Sequence, residues 1–359
     1  MSFAIIESDE LKVCRSEDYN YVFRKDTGMF ARWGKTMEED PETAPCPEIM
    51  DLEISTVCSG VPTNGKASPC KFCYKANGPR GKQMSKEKFE QIFERLPKSI
   101  TQIAFGIGDL VGHDDMWDIF DHTKAGGVIP NVTTNGWGLT DEIAERLANT
   151  MGAVAVSRYN PPDVCYDAVK KLTDLGMSQV NIHQVVSSES YDDCLQLVSD
   201  CETDPRLEKL NAVVFLMLKP KGRAKSGMTK ISRENYSNLV DTALTSGIGV
   251  GFDSCSAPSF LDVTADHPDH KSFEMTSDAC EAGCFSIYAN VDGEVFPCSF
   301  TEGTEGWETG IPIVENEFID DIWNSNKVEA WRKRLLGNCR SCPIYDVDVK
   351  DEGPLRICQ

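Results

Sequence analysis

The sequence predicts an α/β fold: a partial TIM-like (β/α)6 barrel followed by a small cysteine-rich unit. Three observations predict it. Between residues 50 and 258, short β-rich runs alternate with amphipathic helical stretches. Runs of Val, Ile, Ala and Phe between helices are strands of a parallel sheet covered by those helices. Polar and glycine-rich residues gather where each run ends, as they do at the mouth of a βα barrel. Beyond residue 258 the alternation stops and cysteines crowd in. The chain therefore divides into an N-terminal hairpin and linker (1–49), a barrel (50–258) and a C-terminal cysteine-bearing domain (259–359).

The lead-in "YNYVFRKDTGMFARWG" reads as two aromatic-rich strands around an Asp26-Thr27-Gly28 turn. The acidic, proline-rich "EEDPETAPCPE" is a connector. "MDLEIST" is the first barrel strand. "SKEKFEQIFERL" is a helix capped by Ser85, because a serine hydroxyl satisfies free amides of the first turn. "ITQIAFGIG" precedes helical "DDMWDIFDHTKAGG", and "IPNVTTNG" precedes "TDEIAERLANT", capped by Thr140 with acids in its first turn. "GAVAVSRY", "QVNIHQVVS", "LNAVVFLMLKP" and "IGVGFDS" continue the strands, with helices between them. "FSIYANVDGEVFPCSF" is a hairpin turning at Asp292-Gly293, and "VEAWRKRLL" is the one clear helix of the C-terminal part.

The chain has 359 residues and a formal net charge of −21, which repels polyanions and disfavours unspecific nucleic-acid binding. One stretch runs against it: Leu218 to Arg233 has six basic residues and no acid, a candidate pocket for a phosphate. There is no signal peptide and no apolar run near the ~18–20 residues of a spanning helix, so a cytoplasmic protein without membrane contact is expected. Fifteen cysteines in a reducing compartment are not a disulfide framework. Cys165, Cys194 and Cys201 fall on helical patterns as packing thiols.

Cys58, Cys70 and Cys73 stand directly after the first strand. Zinc wants four ligands in closed tetrahedral geometry, and the fourth is missing locally; thiolates also hold iron–sulfur clusters, where three leave one iron open. Spacing alone leaves the two open.

The trio resembles the radical SAM superfamily, whose usual signature is C-x3-C-x2-C after the first barrel strand. The second spacing matches, with Phe72 before the third cysteine; the first is eleven residues instead of three, filled by the turn-forming "SGVPTNGKASP". The resemblance implies a [4Fe–4S] cluster on Cys58, Cys70 and Cys73. Its open iron is chelated by S-adenosylmethionine (SAM), whose reductive cleavage gives a 5′-deoxyadenosyl radical that abstracts substrate hydrogen in an oxygen-sensitive enzyme. It further implies SAM contacts at Phe72, at Gly106, Ile107, Gly108 and Asp109 in place of the family's Gly-Gly-Glu-Pro stretch, and at Asn135. Ser157, Arg158, Asn181 and His183 face the same mouth, with Lys219 or Arg223 for the methionine carboxylate. His183 in an apolar strand also fits a plain core histidine.

At the C-terminus, Cys284, a hairpin, Cys298 and the distant pair Cys339 and Cys342 resemble the twitch domain, the shorter relative of SPASM. They imply an auxiliary [4Fe–4S] cluster, with Cys280 and Cys358 spare; the same pairs would suit a zinc ribbon. Cys255, at the last strand end, is the one guess for a catalytic residue, against plain packing. The expected substrate is a nucleotide, a modified nucleic-acid base or a small metabolite, possible carriers of phosphate. The alternatives are a ribosomal-peptide maturase and, from another class, a non-catalytic zinc-stabilised binding protein. The expected electron donor is a flavodoxin or ferredoxin.

Overall fold

A computed structural model describes residues 3–63, 66–338, 340–350 and 355. The lead-in is larger than one hairpin. Strands β1 (Ala4–Glu7), β2 (Leu11–Arg15), β3 (Asn20–Arg24) and β4 (Phe30–Trp33) form an antiparallel meander. The first two are only four and five residues long, and the acids Glu7, Asp9 and Glu10 lie at and between them, which hid them in the sequence. Tyr19, Tyr21 and Phe23 bury against Cys280, Cys284, Phe285 and Trp331, so the meander packs on the C-terminal part of the chain. Arg32 ties the two ends together: it reaches Glu48 at 3.2 Å and Glu281 at 2.6 Å, with its guanidinium 3.8 Å from the Phe285 ring centroid.

The barrel begins with β5 (Ile49–Glu53), and the β6 (Val61–Thr63) and β7 (Lys66–Ser68) ribbon follows. Helix α1 (Lys86–Phe93) leads to β8 (Gln102–Gly106), α2 (Met116–Ala125) and β9 (Ile129–Thr134). Next come α3 (Asp141–Thr150), β10 (Ala153–Ser157), α4 (Asp163–Asp174), β11 (Val180–Val186), α5 (Tyr191–Thr203) and β12 (Ala212–Met217). The series closes with α6 (Arg233–Thr245), β13 (Val250–Phe252), α7 (Ala257–Val263) and α8 (His270–Thr276). The Ser85 and Thr140 hydroxyls accept from the amides of Lys88 and Ile143, as their cap positions predict.

Strands β5 and β8 to β13 lie side by side in sequence order, all parallel, in a partial barrel. Register brings Glu53 opposite Gly106, Gly106 opposite Thr133 and Ser157 opposite His183, so the ends of β5, β8 and β9 are nearly level while β11 runs three residues past β10. Alternation then assigns faces. Met50 and Leu52 of β5 are fully buried under the helices, whereas Asp51 and Glu53 point inward.

The C-terminal hairpin of β14 (Ser286–Ala289) and β15 (Glu294–Phe296) joins this sheet: β14 pairs parallel with β5, and β16 (Ile311–Pro312) completes ten strands. Helix α9 (Asn326–Leu336) covers it through Val328, Trp331 and Leu335. Placing β14 beside β5 brings the C-terminal cysteines to the barrel's open edge.

Candidate active site and auxiliary cysteine site

The β6–β7 ribbon explains the unusual cysteine spacing. The inserted residues turn out as a hairpin, so Cys58 and Cys70 emerge at its two feet. Gly60 makes the closure possible: its φ is +89°, and a Cβ there would stand 1.9 Å from the Ser68 carbonyl oxygen. Gly108 of the "GIGD" segment lies equally close, since its Cβ would sit 1.6 Å from the Val57 oxygen and 2.9 Å from the Cys58 Cβ. Burial pushes the Cys58 thiol up to about 11 and raises Cys70 as well, so without metal both are held as thiols.

Cys58, Cys70 and Cys73 line one interior cavity of about 410 Å³. Phe72, stacked on Tyr159 with centroids 5.6 Å apart, lines it too, as do Gly106, Ile107, Gly108, Asn135, Ser157, His183 and Lys219. The ends of β5, β8, β9, β10, β11 and β12 thus meet in one space. Burial pushes His183 down to about 4, leaving a neutral imidazole at physiological pH. Lys219 is also enclosed. Burial alone would lower it, but the Asp253 carboxylate, in a close ion pair, outweighs that and holds the amine charged.

Five expected contacts are corrected, because their polar atoms are committed elsewhere and they do not line the cavity. Asp109 accepts from the Ser59 amide at 2.7 Å, so it holds the cysteine loop. Arg158 is buried against Tyr166 and Gln184, at 3.1 and 3.3 Å. Asn181 accepts from Asn211 at 2.8 Å. Arg223 donates to the carbonyls of Cys70 and Asn77. Cys255 sits behind Lys219, close enough to Cys280 and Cys298 to interact electrostatically. The expected phosphate pocket is likewise filled by the chain itself. Lys221 donates to Ser299, Lys230 pairs with Asp346 at 2.9 Å, and Arg233 pairs with Asp262 at 2.9 Å.

The cavity also holds residues that sequence reasoning missed. Asp51 extends into the barrel, exposed only toward this enclosed space; among the described residues no donor reaches its carboxylate, and burial pushes it up to about 6. Near it, Tyr74 stacks on Phe300 at 4.4 Å. Lys75 donates to the Tyr288 hydroxyl at 2.7 Å and pairs with Glu53 at 3.2 Å, joining the cysteine loop to β5 and the C-terminal hairpin. The missed signal was alternation: an acid at the third and fifth positions of "IMDLE" marks an inward-facing polar stripe.

In the C-terminal part, Cys280 is close enough to Cys298, Cys342 and Cys284 to interact electrostatically with all three. Cys284 faces Arg340 and Arg332 instead. The Tyr345 amide donates to the Cys342 sulfur at 3.4 Å. Cys339 and Cys358 lie outside the described residues.

Donor chemistry fits the implied groups. Among the described residues no three Cys, His, Asp or Glu side chains converge as a single ion requires. Cys58, Cys70 and Cys73 instead line one shared cavity, and three thiolates suit a cluster that leaves one iron open.

Comparison with known proteins agrees. Residues 280–343 match the SPASM family, described as an iron–sulfur cluster-binding domain. The chain is 21% identical over 305 residues to the mycofactocin maturase MftC of Mycolicibacterium smegmatis, covering 77% of this chain and 72% of that one. Its fold is similar to Streptococcus suis SuiB bound to the precursor peptide SuiA: TM-score 0.70, 12% identity, 92% and 90% of the two chains covered. It is also similar to anSMEcpe with bound AdoMet and the Cp18Cys peptide: TM-score 0.59, 14% identity, 86% and 92% covered.

The chain is a radical SAM enzyme with a C-terminal SPASM domain. It works with SAM and [4Fe–4S] clusters, including an auxiliary one, and the zinc-scaffold alternative falls away. Among the described residues no helix is long and apolar enough to cross a membrane.

Proposed function

We propose that this enzyme modifies a peptide. The expectation of a nucleotide or small metabolite finds no support in the similar proteins, whose names and titles speak of a maturase, a precursor peptide and a bound peptide. The observation that carries the reading is a second, open cleft of about 750 Å³. It shares Glu53, Tyr74, Lys75 and Asn77 with the cysteine-lined cavity, so the two adjoin across these residues. An extended chain can lie in the cleft and present one residue inside the barrel. The Oδ1 atom of Asn77, at the junction, is buried without a partner, and Asp51 waits unpaired within. Two acceptors lacking donors suit a ligand that brings N–H groups, as a peptide backbone does.

Cys58, Cys70 and Cys73 hold the cluster at the cavity wall, with Phe72, Gly106, Ile107, Gly108, Asn135, Ser157 and His183 around the SAM. When bound, these groups supply a 5′-deoxyadenosyl radical that takes a hydrogen atom from a substrate carbon. The chain's own work is to orient the peptide carbon toward that space and to exclude water. Asp51 accepts a substrate N–H within the cavity, and the Lys219–Asp253 pair fixes another part of its lining. Lys219 remains the one expected carboxylate partner for SAM on the cavity wall. A flavodoxin or ferredoxin supplies the electron.

The test uses the anaerobically reconstituted enzyme, SAM and dithionite with synthetic peptides encoded by short reading frames beside its gene. A peptide mass change accompanied by 5′-deoxyadenosine is expected. Unchanged peptides, with turnover of nucleotides or small metabolites instead, would overturn the reading.

For the auxiliary cluster, Cys280 is the better partner of Cys298 and Cys342 than the expected Cys284, whose neighbours are arginines. Cys280→Ala is therefore expected to lose about half of the ~8 irons that two [4Fe–4S] clusters hold, and Cys284→Ala to keep them. Iron analysis of the two reconstituted variants checks this, and the reverse pattern would restore Cys284.

A further inference from the structure

The cysteine loop is long, and ordering its two limbs costs conformational entropy that something must offset. Asp109 steadies the first limb through the Ser59 amide, at 2.7 Å, while its own amide donates to the Val57 oxygen at 3.3 Å. The second limb carries Cys70 and Cys73, and it is met by the turn after β12. There the Arg223 amide donates to the Cys73 oxygen at 3.0 Å. Its Nε donates to the Cys70 oxygen at 2.7 Å, and its Nη2 to the Asn77 oxygen at 2.9 Å. Gly222 permits this approach: at φ +59°, a Cβ would stand 2.3 Å from the Tyr74 oxygen and 2.6 Å from that of Cys73.

We propose that Arg223 is a positioning residue for the radical SAM cluster, its rigid fork gripping the carbonyls of Cys70 and Asn77 so that both thiols of the second limb keep cluster spacing. The rigid guanidinium suits two acceptors at fixed separation, which a lysine ammonium cannot hold in the same way. The same fixed charge lies near the Cys70 sulfur. A cation beside a negatively charged cluster favours its reduced form and raises its potential. The inference rests on the reading of Cys58, Cys70 and Cys73 as ligands.

The test uses the reconstituted holoenzyme, with Arg223→Gln and Arg223→Lys compared with wild type. Iron release to a chelator and the midpoint potential of the SAM-binding cluster are read in the absence of SAM. Arg223→Gln is expected to lose iron several-fold faster and to have a more negative potential. Arg223→Lys should recover the potential but still lose iron faster, since it returns the charge without the fork. If Arg223→Gln assembles no cluster, Arg223→Lys decides by the same two readings. Wild-type iron release in Arg223→Lys, or in Arg223→Gln with an unchanged potential, would overturn the proposal. Weakened SAM binding alone would return Arg223 to the methionine carboxylate. A SAM-binding cluster that survives Cys70→Ala, with Arg223 intact, would instead sink the underlying ligand assignment, a distinguishable failure.

Discussion

Alanine in place of Cys58, Cys70 or Cys73 is expected to abolish 5′-deoxyadenosine formation and to leave only the auxiliary cluster's iron, about four of ~8 atoms per chain. The three thiols line one cavity, and among the described residues no three Cys, His, Asp or Glu side chains converge to hold an ion in their place. Loss of one therefore removes a corner ligand that neither water nor a neighbour restores. The loss should be the same for Cys58, despite its distance in sequence, because the β6–β7 ribbon returns it to the other two. The measurement is iron content and deoxyadenosine yield after anaerobic reconstitution. A variant of this trio that still cleaves SAM would show that its ribbon foot is not where the cluster sits.

Asp51→Asn carries the second large effect. The substitution keeps size and one acceptor oxygen but removes the charge, so peptide turnover is expected to fall about 10–100-fold, the cost of leaving a buried donor poorly paired. Deoxyadenosine formation without peptide should be unchanged, because among the described residues Asp51 makes no hydrogen bond to the cysteine loop. The pH dependence follows from burial, which pushes the carboxyl up to about 6 from 3.8. Turnover by the wild type should decline as pH falls through about 6, as the acceptor is protonated, and this step should vanish in Asp51→Asn. Stability runs the other way. A carboxyl raised in the folded state binds its proton more tightly there, so wild-type stability falls as pH rises from 3.8 to about 6 and stays lower above. Asp51→Asn escapes that cost and should melt higher than wild type at pH 8 but not at pH 4. A variant that is less stable at pH 8 and equally active would make Asp51 an ordinary wall residue.

Much of this architecture was legible because the barrel strands are apolar runs whose ends carry a different chemistry, and because capping residues such as Ser85 and Thr140 mark where helices begin. Cys58, Cys70 and Cys73, grouped by the sequence after one strand, do line one cavity, because the residues between the first two fold out as a ribbon. What escaped notice depends on contacts distant in sequence. Arg158, Asn181 and Arg223 stand at strand ends like true mouth residues, yet Tyr166, Asn211 and the cysteine-loop carbonyls already occupy them. The basic stretch looked free because its carboxylates, Asp253, Asp262 and Asp346, come from other segments. Cys280 and Cys284 are four apart, and only the fold sets Cys280 among Cys298 and Cys342 and Cys284 beside Arg340 and Arg332. Strands β1 and β2 were lost because their burial partner is the other end of the chain.

The most direct test of the central claim, that the cysteine-lined barrel cavity holds a cluster with a corner open to SAM, is the EPR spectrum of the dithionite-reduced, fully reconstituted enzyme before and after SAM is added. SAM should change the signal assigned to the cluster of Cys58, Cys70 and Cys73, and leave the auxiliary signal of the same sample as it was. A spectrum indifferent to SAM in protein carrying its full iron would contradict the account.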